Sequence, residues 1–93
     1  MIAEIKMTFE DGNIEYEGKG HAEKKDACII CSTLENVLIC ACRRQNIEPI
    51  EDRSGYLKIS VPNADKSLTE TFKAVREAFY SAEYQFPWYI KVN

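Results

Sequence analysis

The chain has a single histidine, and a cysteine follows it seven positions later: His21 and Cys28. A glycine, Gly20, precedes the histidine. The connecting segment, Ala22-Glu23-Lys24-Lys25-Asp26-Ala27, is short and mostly polar. A thiol and an imidazole brought together make the minimal nucleophile and base of a cysteine hydrolase. Asp26 has the side chain of a helix N-cap, because its carboxylate can accept a first-turn N–H. Capping by Asp26 predicts Cys28 at about the second helical position. There the positive end of the helix dipole and the unpaired N–H groups favour a thiolate.

Strand-like sequence lies upstream of this junction. Residues 2–9 alternate, with Ala3, Ile5, Met7 and Phe9 on one side and Glu4, Lys6 and Thr8 on the other. Asp11-Gly12-Asn13 is turn chemistry. Residues 13–19 alternate again through Ile14 and Tyr16, so the two runs predict an antiparallel hairpin that ends at Gly18-Lys19-Gly20. A first helix is expected from Asp26 to about Gln45. At 100° per residue its apolar arc collects Ile30, Cys31, Leu34, Val37, Leu38 and Ala41. Ser32, Glu35, Asn36 and Arg43 fall opposite. Cys28 lies with the polar set, while Cys31 falls inside the arc as a small core residue.

Ile47 and Ile50 predict a short strand over 47–51, followed by a turn at Asp52-Arg53-Ser54-Gly55. Tyr56 to Val61 alternates as another strand, which Pro62 ends. Ser67 and Glu70 have the spacing of a capping box. They open a second helix to about Tyr84, with Leu68, Phe72, Val75 and Phe79 as its stripe. Pro87 stops the helix, and Trp88, Ile90 and Val92 alternate as a last strand. The order β-β-α-β-β-α-β with two amphipathic helices predicts one α+β domain over 1–93. Its architecture is a two-layer sandwich, with both helices on a mixed or antiparallel sheet.

Composition narrows the function classes. At 45% hydrophobic residues the chain can build a core. A net charge of −3 with scattered lysines and arginines argues against a nucleic-acid partner. No run approaches the roughly eighteen apolar residues that a membrane span needs, and no secretory leader is visible. A cytoplasmic protein with reduced thiols is expected. Zinc is a poor fit as one tetrahedral site, since Cys31 and Cys40 stand about 13 Å apart on an unbroken helix. Cys28-Ile29-Ile30-Cys31 is also a Cys-x-x-Cys at a helix start, which keeps a thiol redox protein open as an alternative.

Gly20-His21-Ala22, then Asp26, Cys28 and Ser32 four residues beyond that cysteine, resembles the ribosomal-processing cysteine protease (Prp) family. The acidic hairpin before the histidine and the ending Phe86-Pro87-Trp88-Tyr89-Ile90-Lys91-Val92 are similar too. The segment between His21 and Cys28 is shorter than is usual there, and Asp26 stands two residues before the cysteine rather than three. The resemblance implies a cysteine endopeptidase that trims a precursor protein, such as the N-terminal extension of a large-subunit ribosomal protein. Cys28 would be the nucleophile and His21 the base. Ser32 would support the thiol, Asp26 and Gly20 would shape the site, and first-turn N–H groups of the helix would bind the oxyanion. The Lys19-to-Lys25 loop would close over the peptide. No cofactor or metal is implied. A homodimer is implied, and Ile39 on the polar face of the first helix is compatible with one. An inactive interaction domain of the same fold is the other reading.

Overall fold

The computed structural model describes residues 1–93. Strands β1 (Ala3–Glu10) and β2 (Asn13–Lys19) form the expected hairpin. Asp11 and Gly12 both take positive φ, 52° and 79°. A two-residue hairpin turn needs that conformation if it is to follow the twist of the strands. Helix α1 spans Lys25–Arg43, β3 spans Glu51–Arg53, β4 spans Tyr56–Val61, α2 spans Lys66–Gln85 and β5 spans Ile90–Val92. The sheet order is β3-β4-β2-β1-β5. All neighbours are antiparallel except β1 and β5, so the sheet is mixed.

Both helices cover one face of the sheet. Ala3, Ile5 and Met7, with Ile14 and Tyr16, and Leu57, Ile59 and Val61, point into the core. Leu68, Phe72, Val75 and Phe79 of α2 meet them, and the Tyr16 and Phe79 rings stack at 6.1 Å. The other face is polar. Across it Lys6 pairs with Glu17, Glu17 with Lys58, and Lys58 with Glu51. Cross-strand neighbours of opposite sign are favourable, and the row explains why this face needs no cover.

Four expectations are corrected. The strand after α1 is not 47–51 but Glu51–Arg53, three exposed residues that pair with β4; backbone pairing to β4, not burial, makes it a strand. The α2 cap is Asp65, whose Oδ1 accepts the Leu68 N–H at 2.8 Å. Ser67 therefore lies inside the helix, and its capping box does not form. Trp88 stands in the turn before β5 and is 84% exposed. Finally, α1 is turned somewhat from the expected arc: Cys31 and Leu38 of that arc are buried and Ile30, Leu34 and Ala41 pack partly buried against the core, but Ala27, Ile39 and Cys42 are buried beside them. Val37 faces solvent, Ile39 is core, and Glu35 turns toward the sheet.

Candidate active site

A cleft of about 410 Å³ opens between the N-terminal half of α1 and the ends of β2, β3 and β4. His21 and Cys28 both line it, and so do Gly20 and Ser32. The fold thus gathers four of the five residues singled out from sequence. Asp26 is not among them.

Gly20 follows β2 and starts the loop. Its φ is +82°, and a β-carbon there would lie 2.6 Å from the Ile2 carbonyl oxygen. Only glycine satisfies both conditions. Its N–H donates to the Gly55 carbonyl at 2.8 Å, which ties the loop to the β3–β4 turn. Ala22 is buried, and Glu23 pairs with the Met1 ammonium at 2.9 Å. The short connection is therefore anchored at several points. His21 is left exposed at its bend.

The imidazole rests on the β3–β4 turn. Its Nε2 lies 3.3 Å from Ser54 Oγ. A β-carbon on Gly55 would stand 3.1 Å from the same nitrogen. Among the carboxylates near the histidine in sequence, Glu17 lies on the open sheet face. It accepts from Tyr56 Oη at 2.5 Å, which with the nearby lysines holds its carboxyl below the usual range. Glu23 is engaged by the N-terminus, and Asp26 is exposed on the first turn of α1.

Asp26 is not the N-cap. Lys24 holds that position with extended backbone, φ −75° and ψ 126°, and no side chain caps the helix. The helix begins a residue before Asp26, so its carboxylate lies beyond reach of the capping geometry, although it remains near the positive helix end. Cys28 is consequently the fourth helical residue, not the second. Its N–H already donates to the Lys24 carbonyl at 3.0 Å. The first-turn donors without helical partners are Lys25, Asp26 and Ala27.

The two thiols of the Cys-x-x-Cys both line the cleft but differ in burial: Cys28 is half-buried, while Cys31 is buried. Burial, with help from the Glu35 and Cys28 charges, pushes the Cys31 thiol up to about 11. It stays protonated at neutral pH, so it is not the attacking thiolate of a Cys-x-x-Cys pair. Ser32 is exposed on the cleft rim.

Sequence reasoning missed Glu35. Counted with the polar face, it instead points into the cleft and accepts from Tyr16 Oη at 2.7 Å. Gly18 makes room for it: a β-carbon there would fall 2.1 Å from Glu35 Oε2. Burial is the main influence and raises the carboxyl's pKa. The Tyr16 hydrogen bond lowers it, Asp52 raises it and His21 lowers it. The signal available in sequence was a tyrosine on the core face of β2, whose hydroxyl requires a partner.

No family model and no curated protein matches the chain. Solved structures do. The chain resembles the ribosomal processing protease Prp from S. aureus in complex with a covalently linked product peptide. There the TM-score is 0.82 and the identity 17%, over 99% of this chain and 98% of that one. The same protease with a substrate peptide gives a TM-score of 0.81 at 16% identity, over 99% and 98%. SMU.848 from Streptococcus mutans gives 0.75 at 19%, over 99% and 92%. At these identities the likeness shows that the chain has the fold of those proteins.

Proposed function

We propose that this domain is a cysteine endopeptidase of the Prp type. Cys28 is its nucleophile and His21 its general base. One observation carries the reading: the only histidine and the half-buried cysteine line a single cleft. The fold that builds this cleft is also that of a protease crystallised with a covalently linked product peptide.

On this reading His21 takes the Cys28 proton and the sulfur attacks the scissile carbonyl. The oxyanion is met by first-turn N–H groups of α1, which are Lys25, Asp26 and Ala27 rather than Cys28 itself. The C–N bond breaks and the imidazolium returns its proton to the leaving amine. Water then hydrolyses the thioester and restores the thiol. Ser32 lines the pocket one turn along from Cys28.

The substrate on this reading is a precursor protein or peptide, such as the N-terminal extension of a large-subunit ribosomal protein, processed in the cytoplasm. No helix of the chain is long and apolar enough to cross a membrane. Ile39 no longer supports pairing as a homodimer, because it is core. Exposed Ile29 and Val37 on α1 are the apolar residues that would serve instead.

Covalent trapping tests the proposal. A peptide chloromethyl ketone built on a precursor N-terminus should alkylate wild type once, at Cys28, as read by intact mass and peptide mapping. Adduct formation should slow strongly in His21→Ala. Equal labelling of Cys40, or no dependence on His21, would overturn it.

A further inference from the structure

The imidazole of His21 is seated by two independent contacts from one hairpin turn. Ser54 Oγ is 3.3 Å from Nε2. Gly55, with φ +79°, presents its bare Cα side to the ring: a β-carbon would meet Nε2 at 3.1 Å, Cδ2 at 3.4 Å and Cε1 at 3.9 Å. The ring therefore meets the turn by its Nε2 end. The turn is itself fixed to the strand that delivers the histidine, through the Gly20 N–H to Gly55 carbonyl bond of 2.8 Å. The serine, the glycine and the histidine loop thus form one rigid corner of the cleft.

We infer that Ser54 is a positioning residue for His21: its hydroxyl accepts from Nε2–H and leaves Nδ1 as the nitrogen that takes the Cys28 proton. In a neutral imidazole one nitrogen donates and the other accepts, and the bond made by one selects the role of the other. Nδ1 is the nitrogen turned away from the β3–β4 turn. Lys19, Cys28, Cys31, Glu35, Asp52, Arg53 and Tyr56 are the other titratable groups that line the cleft around the ring. None of them hydrogen-bonds or ion-pairs with the imidazole, which Glu35 reaches only through its charge, whereas Ser54 lies within hydrogen-bond distance of it. Gly55 serves the same end by keeping the seat empty. The inference rests on the cysteine protease reading for its consequence, though not for its geometry.

Because His21 is the only histidine, its tautomer can be read without assignment ambiguity. Long-range proton–nitrogen spectra of uniformly labelled protein, recorded above the histidine titration range, should show wild type mainly as the Nε2–H form. Ser54→Ala should shift the ring toward a mixture with the Nδ1–H form, and Ser54→Thr should restore it. Cleavage by Ser54→Ala should lose about ten-fold in kcat, the size of one hydrogen bond, with KM little changed and with rescue by threonine. A wild-type ring in the Nδ1–H form, or a tautomer balance unmoved by Ser54→Ala, would overturn the inference even if wild type cleaves peptides. If the tautomer shifts as described while wild type cuts nothing, the seat is confirmed and the protease reading fails instead.

Discussion

The Tyr16 hydroxyl and the Glu35 carboxylate meet at 2.7 Å across the interface between β2 and α1. The tyrosine is 1% exposed. Burial and the adjacent carboxylate push its phenol up, so it stays a donor at any ordinary pH. Removing Glu35's acceptor would leave a buried hydroxyl unpaired.

Glu35 gives the first prediction. Its carboxyl is raised in the folded state, chiefly by burial. Between the unfolded and folded values the folded chain binds more protons. Its contribution to stability therefore falls as pH rises through that window, beginning at the ordinary carboxylate value. Glu35→Gln keeps an acceptor for Tyr16 and cannot ionise. Urea unfolding across pH should show the variant gaining on wild type as pH rises out of the carboxylate range. A pH-independent difference would contradict the assignment.

Gly18 and Glu35 should be coupled. Gly18→Ala drives the carboxylate off the Tyr16 hydroxyl, and stability should fall by about 1–3 kcal/mol, the cost of an unpaired buried polar group. In a Glu35→Ala background the same glycine substitution should cost less, because the carboxylate it displaces is absent. A double-mutant cycle by chemical denaturation measures the difference, and strict additivity would count against it.

The thiols should separate into two classes. Cys31 and Cys42 are buried and their thiols are pushed up by that burial. Cys28 and Cys40 are accessible. Iodoacetamide at neutral pH should label the second pair and spare the first. His21→Ala should slow labelling of Cys28 while leaving Cys40 unchanged. Rapid labelling of Cys31 would favour the redox reading.

What could be read in the chain follows from which forces are local. Tyr56–Val61 and the β1–β2 hairpin were legible because alternation and an Asp-Gly turn are written in neighbouring residues. The α2 stripe was legible for the same reason. Strand β3 was not, since Glu51-Asp52-Arg53 carries no apolar residue and owes its state to pairing with β4. The rotation of α1 was hidden because Ile30 and Val37 drew the arc toward them. What overrides them is distant: Tyr16, nineteen positions from Glu35, draws that carboxylate inward. His21 and Cys28 stand close in the chain, so their sharing one cleft needs no distant contact, whereas the turn that seats the imidazole lies 33 positions further on. The helix start was misplaced because capping by Asp26 was inferred from residue type, and Lys24 took the extended conformation instead.

The central claim is that Cys28 and His21 act as one catalytic unit on a precursor peptide. The most direct test is a mass-spectrometric cleavage assay over a panel of precursor N-terminal peptides from the same genome. Wild type should cut at least one of them at a single bond. Cys28→Ala and His21→Ala should each lower the rate by about 1,000-fold or more, and the double variant should be no slower than either, as for residues that work as a unit. Cleavage by Cys28→Ala at the wild-type rate, or a wild type that binds a precursor and never cuts it, would contradict the account.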